Sequence, residues 1–111
     1  MDVGFATSRL ARMCNSASLR ARKLGQERAE KVLMRLDQLV ASDNLAEFHK
    51  LPQARCHQLI GDRDEQFSAD LDGPYRLIFE AATDPMPRLA DGGIDLTLDT
   101  RVRVLEIADT H

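Results

Sequence analysis

Two short alternating runs joined by a tight turn constrain this chain more than any other feature. Over residues 66–71, Phe67, Ala69 and Leu71 alternate with Gln66, Ser68 and Asp70; over residues 75–80, Tyr75, Leu77 and Phe79 alternate with Arg76, Ile78 and Glu80. A period of two is that of a strand with one face on a core and the other in water. Between the runs stands Asp72-Gly73-Pro74. Asp-Gly is a strong tight-turn signal, and a proline suits the first residue of a strand because it has no N–H to give to the ladder. The preceding run, Arg55-Cys56-His57-Gln58-Leu59-Ile60, closes at Gly61-Asp62 and reads as a further short strand. His57 and Arg76 are therefore expected on neighbouring parts of one sheet, with Arg76 on the face opposite the aromatic residues.

What precedes this sheet reads as helical. Val3 to Ala6 is a short apolar run expected as a first strand, and Thr7 or Ser8 is placed to cap the helix after it. Leu10, Met13, Cys14 and Ala17 then recur at helical spacing. Asn15 and Ser16 are candidates to break that helix in two, and Gly25 ends it. From about Gln26 comes the best pattern in the chain, an apolar stripe of Ala29, Val32, Leu33, Leu36, Leu39 and Val40, with Glu27, Arg28, Lys31, Arg35 and Asp37 off it. Burying such a stripe is worth about 1.5 to 3 kcal/mol for each large side chain. Asn44 is placed to cap one further turn over residues 45–48. Pro85, Pro87, Gly92 and Gly93 mark residues 81–93 as a loop, long enough to be a candidate for binding or mobility. Residues 94–98 alternate weakly, and residues 102–107 read as an interior strand because their apolar side chains fall on both faces. The expectation is a single α+β domain over residues 1–111, a small, mostly antiparallel sheet of four to five strands with an N-terminal two-helix hairpin packed on one side.

Composition narrows the class. No apolar run approaches the roughly 20 residues of a membrane span, and the first residues have neither the basic start nor the apolar stretch of a signal peptide, which leads to the expectation of a cytoplasmic protein with no membrane partner. Cys14 and Cys56 stand alone in different elements, so they read as reduced, buried thiols and suggest neither a disulfide framework nor a zinc site. The net charge of −3 hides an asymmetry. Residues 1–55 hold ten Lys or Arg against six Asp or Glu, and residues 56–111 hold five against twelve. Clustered cations are the footprint of an anionic partner. They are equally the solvated outer face of an amphipathic helix.

The order of these pieces resembles a known family. A basic helical hairpin, Leu51-Pro52, the segment Arg55-Cys56-His57-Gln58-Leu59-Ile60-Gly61-Asp62-Arg63, the run from Phe67-Ser68 to Gly73-Pro74-Tyr75-Arg76-Leu77-Ile78-Phe79-Glu80, and a closing Val104-Leu105-Glu106-Ile107-Ala108-Asp109-Thr110-His111 look like the HigB branch of the RelE/ParE toxin superfamily. The resemblance covers nearly the whole chain. It implies the toxin of a bacterial type II toxin-antitoxin pair, an endoribonuclease that cuts mRNA on the translating ribosome without a metal or other cofactor. It also implies a cognate antitoxin as partner, of the HigA-like helix-turn-helix kind. By the same resemblance the catalytic residues are His57, Arg76, Asp109 and His111. Two positions depart from the family pattern, Ile60 where it has lysine and Thr110 where it has tyrosine.

The chemistry accords with those residue types. RNA carries its own nucleophile, so cleavage needs a base for the 2′-hydroxyl proton, an acid for the leaving 5′-oxygen and a cation for the phosphate charge. Imidazole is the side chain that ordinarily titrates near neutrality, and guanidinium pairs with phosphate in a bidentate fork. On this reading His57 and His111 share the base and acid roles, Arg76 holds the phosphate, and Asp109 orients a histidine or lies against the substrate. The plainer readings are a hydrogen-bonded strand histidine at 57, a cross-strand ion pair from Arg76 to Asp70 or Glu80, and a frayed end at His111. A second function of a different class is a non-catalytic contact inhibitor like the ParE branch, which acts on DNA gyrase, or a degenerate toxin that serves only as its antitoxin's partner.

Overall fold

Residues 1–110 are described by the computed structural model. Their order is β1 (Asp2–Phe5), α1 (Ser8–Asn15), α2 (Ala17–Leu24), α3 (Gln26–Ala41), α4 (Leu45–His49), a 3₁₀ turn at Pro52–Ala54, β2 (His57–Gln58), a second 3₁₀ turn at Gly61–Arg63, β3 (Gln66–Asp70), β4 (Tyr75–Ala81) and β5 (Arg101–Asp109). The strands lie in the order β1-β5-β4-β3-β2. The pairings from β2 through β5 are antiparallel, whereas β1 joins β5 in parallel. The fold is thus α+β with a mixed sheet, and β5 is an interior strand, flanked by β1 and β4. Among the described residues no helix is long and apolar enough to cross a membrane.

Local chemistry sets the breaks. Thr7 accepts the Leu10 N–H at 3.1 Å at the start of α1. Ser16 ends α1 in an extended conformation and opens α2 by accepting the Leu19 N–H at 3.3 Å, so the expected break at Asn15-Ser16 is present. Asn44 caps α4 through the Glu47 N–H at 2.9 Å. In the β3–β4 hairpin, Gly73 adopts φ 52°, a left-handed value that costs a residue with a Cβ and costs glycine little.

The core joins Val32, Leu36 and Leu39 of α3 to Phe67, Leu77, Phe79, Val102 and Val104 of the sheet. Phe79 stacks on Phe67 at 5.6 Å and meets the Phe48 edge at 5.8 Å, an aromatic trio at its centre. Arg28 of α3 lies 3.3 Å above the Tyr75 ring and pairs with Asp72 at 3.1 Å, which fastens the helix to the hairpin turn. Cys14 and Cys56 are free and buried; burial pushes their thiols up to about 11 and about 12, so both stay protonated and unreactive.

Three expectations need correction. The α3 stripe is displaced: Leu33 and Val40 are 40% and 59% exposed, while Arg35, expected outside it, is 3% exposed. Arg35 earns its interior position by donating from Nε to the Asp70 carbonyl at 2.7 Å and from Nη2 to the Gln53 carbonyl at 2.8 Å, bonds that no apolar side chain supplies. Residues 94–98 form turns with a single bridge from Ile94 to Arg88, because the Asp95 carboxylate captures the Thr97 N–H and hydroxyl and curls the chain. The face expected to be wet is partly covered, since Ser68 and Ile78 are both buried there.

The loop after β4 is anchored where it rejoins the sheet. Asp99 is fully buried; its Oδ1 accepts the Thr83 hydroxyl at 2.6 Å, and that hydroxyl oxygen accepts the Thr100 N–H at 3.0 Å. Burial raises the Asp99 pKa, with the Thr83 hydrogen bonds opposing. The unfolded chain therefore releases its proton first as pH rises from about 4, and the fold loses stability up to the raised pKa. Asp99→Asn keeps an acceptor for Thr83 and cannot ionise. Urea midpoints are expected to show the wild type weakening relative to this variant as pH rises above about 4, whereas parallel pH profiles would show that folding does not raise the pKa of this carboxyl.

Candidate functional site

The sheet face opposite the core carries a register-matched row of side chains. His57 pairs with Ser68, Ser68 with Ile78 and Ile78 with Glu106. Neighbouring strands lie about 4.8 Å apart, so the row spans about 14 Å from His57 to Glu106. Arg76 pairs with Asp70 on one side and Ala108 on the other, two residues along β4 from Ile78 and on the same face. Buried Ser68 and Ile78 form a floor between a histidine and an arginine. The resulting cleft has a volume of about 630 Å³ and is bordered by His57, Arg63, Arg76, Glu106 and Asp109, among others.

Each side chain has a defined support. His57 is exposed at the edge strand, and its Nδ1 lies 3.2 Å from the Arg55 carbonyl oxygen. A carbonyl only accepts, so Nδ1 carries the proton and Nε2 of the neutral ring is left as an acceptor. Arg55, which offers that carbonyl, adopts φ 44°, a left-handed conformation unusual for a residue with a side chain. Arg76 is more committed: Nε pairs with Asp70 Oδ1 at 3.0 Å, and Nη1 donates to the Gly73 and Tyr75 carbonyls at 2.7 and 2.8 Å. The plain cross-strand pair with Asp70 is therefore present. Thr110 donates its N–H and hydroxyl to the Pro74 carbonyl at 2.9 and 2.7 Å, pinning the end of β5 to the hairpin turn.

Two residues of the cleft were not among the expected ones. Arg63, from the second 3₁₀ turn, donates to Gln66 Oε1 at 3.1 Å and lies 3.3 Å from Glu106 Oε2. Its position in a turn gives no periodic signal. Glu106 was hidden by a β-bulge. The pairing runs Ile78 with Glu106 and then Phe79 with Val104, so Leu105 is an extra residue in β5. Continuous alternation would put Glu106 on the core face with Val102 and Val104; the bulge turns it into the cleft. The same shift puts Asp109 in the row of Tyr75, and it reaches the cleft only at its border.

Of the residues singled out from the sequence, His57, Arg76 and Asp109 thus border one cleft, and His111 lies outside the described residues. Ile60 is 89% exposed and takes no part in the cleft lining. The charge there is mixed, two guanidinium groups against the carboxylates of Glu106 and Asp109. Among the described residues no three His, Cys, Asp or Glu side chains converge in a way that would hold a metal ion. The chain matches no protein-family model and no curated protein.

Proposed function

We propose that this protein is an endoribonuclease toxin of a type II toxin-antitoxin pair, with a RelE-like fold, which cleaves mRNA on the translating ribosome without a metal. The observation that carries the proposal is the convergence of His57, Arg76 and Asp109, far apart in sequence, on one cleft. Cleavage requires an acceptor for the 2′-hydroxyl proton, and His57 Nε2 has the free lone pair for it. As that proton moves, the 2′-oxygen attacks phosphorus and the bond to the 5′-oxygen breaks, leaving a cyclic phosphate. Arg76 and Arg63 stabilise the charge that develops on the phosphate, Arg63 supplying the cation that Ile60 does not. His111 returns a proton to the leaving oxygen, and Asp109 lies beside the substrate. Missing from the cleft is an aromatic ring at position 110 for base stacking, so sequence preference is set by hydrogen bonding more than by stacking. A HigA-like antitoxin holds the toxin inactive.

A second reading rests on Arg76. Three of its hydrogen bonds already go to Asp70, Gly73 and Tyr75, and Glu106 brings a carboxylate toward any bound phosphate. This favours a protein that acts by contact, as a gyrase-type inhibitor or solely as its antitoxin's partner. Induced expression of the wild type in growing bacteria, followed by growth curves and primer-extension maps of abundant messages, separates the readings. The expected result is arrest with new 5′ ends in messages. Arrest with intact messages would replace the ribonuclease by a contact inhibitor, and unimpaired growth would remove toxicity altogether.

A further inference from the structure

We infer that the groove between α1 and α2 is a docking site for an acidic, amphipathic segment of a partner protein. The inference does not depend on the ribonuclease reading, because none of the groove's residues borders the catalytic cleft. The groove exists because Ser16 interrupts what would otherwise be one helix, and Arg20 closes the broken end by donating from Nη1 to the Cys14 carbonyl at 2.6 Å. It has a volume of about 530 Å³, in the range of ligand clefts, and its lining combines Leu10, Met13 and Leu19 with Arg9, Arg12, Arg22 and Lys23.

The state of those four cations carries the argument. Elsewhere Arg28, Arg55, Arg63, Arg76, Arg88, Arg101 and Arg103 each pair with a carboxylate of this chain, Arg20 and Arg35 donate to backbone carbonyls, and Lys31 and Lys50 stand singly, outside the groove. Arg9, Arg12, Arg22 and Lys23 have no such partner among the described residues, and no acid lines the groove. Four like charges around an apolar strip repel one another unless an anionic partner arrives. The strip decides which anion. Aliphatic side chains and a thioether accept a leucine or methionine of an entering helix, whereas an RNA strand has no aliphatic side chain with which to fill the strip.

The test uses the full chain and a synthetic, fluorescein-labelled 14-residue helical peptide with leucine at i, i+3 and i+7 and glutamate at most other positions, followed by anisotropy. Binding is expected in the micromolar range, weakening several-fold between 50 and 500 mM salt. The double variant Arg12→Gln/Arg22→Gln is expected to lower affinity at least tenfold, with circular dichroism and melting unchanged because neither side chain has a partner to lose. His57→Ala is expected to bind the peptide as the wild type does. A peptide with glycine replacing its leucines is expected to bind at least fivefold more weakly. The inference is overturned if the leucine peptide fails to bind, if the double variant binds it undiminished, or if a 12-nucleotide single-stranded RNA binds in its place and is lost in the same variant.

Discussion

On the proposed ribonuclease reading, replacing His57 by alanine is expected to lower the rate of RNA cleavage by about 10²- to 10⁴-fold, the usual contribution of a positioned general base. The effect on stability should be small. The imidazole is exposed on a two-residue edge strand, and its hydrogen bond runs from Nδ1 to the Arg55 carbonyl, itself at the surface. Loss of cleavage with an unchanged melting curve would therefore be a loss of chemistry and not of fold. The check is cleavage of a defined message in a translating extract by purified wild type and His57→Ala, with thermal melts alongside. Cleavage retained in the variant would sink the assignment of His57 as base, whatever the expression phenotype.

Arg35→Ala is expected to destabilise the fold by about 2 to 4 kcal/mol. The arginine bridges α3 to the end of β3 through the Asp70 carbonyl and to the first 3₁₀ turn through the Gln53 carbonyl. Removal takes the donor from two partly buried carbonyls, at about 1 kcal/mol each where water takes its place and up to about 3 where it does not, and adds the loss of packing along its stem. Arg35→Lys should recover only part, because a single ammonium does not span two carbonyls as a planar fork does. A urea titration with an unchanged slope and a lowered midpoint is the expected readout. A midpoint shift that, multiplied by the slope, comes to less than about 1 kcal/mol for Arg35→Ala would mean that water replaces the guanidinium at little cost. The position also bears on the cleft: Asp70 holds Arg76 with its side chain while Arg35 holds its backbone, and Gln53 lies two residues before the carbonyl that fixes the His57 tautomer.

What could be read in advance follows from how local each signal is. The β3–β4 hairpin is plain because alternation and Asp72-Gly73 act within a few residues; the Asn44 cap and the break at Asn15-Ser16 are plain for the same reason, and the cap of α1 narrows to Thr7 or Ser8. Arg35 was not, since its charge marks it as solvated and only the distant carbonyls of Asp70 and Gln53 make its burial tolerable. Spacing alone puts Leu33 and Val40 in the apolar stripe, because it cannot tell which edge of a helix face the sheet will cover. In the cleft, His57 and Arg76 were reached through strand periodicity together with a family resemblance. Arg63 has no periodic environment, and Glu106 lies just past an inserted residue that reverses the alternation. Nothing in the residues around Leu105 announces that insertion.

The Leu105 bulge divides β5 into two segments that can be edited separately. Upstream, Val102 and Val104 are tied to the core; downstream, Glu106 and Ala108 face the cleft beside Ile78 and Arg76. Deleting Leu105 would rejoin the segments in a continuous strand with Arg103, Glu106 and Ala108 on one face and Val104 and Ile107 on the other, so every side chain would keep its present side. A deletion at almost any other point in the strand would send half of its residues to the wrong face. A lineage can thus gain or lose this one residue, and with it the local curl of the sheet, while the inventory of groups presented to the cleft stays as it is.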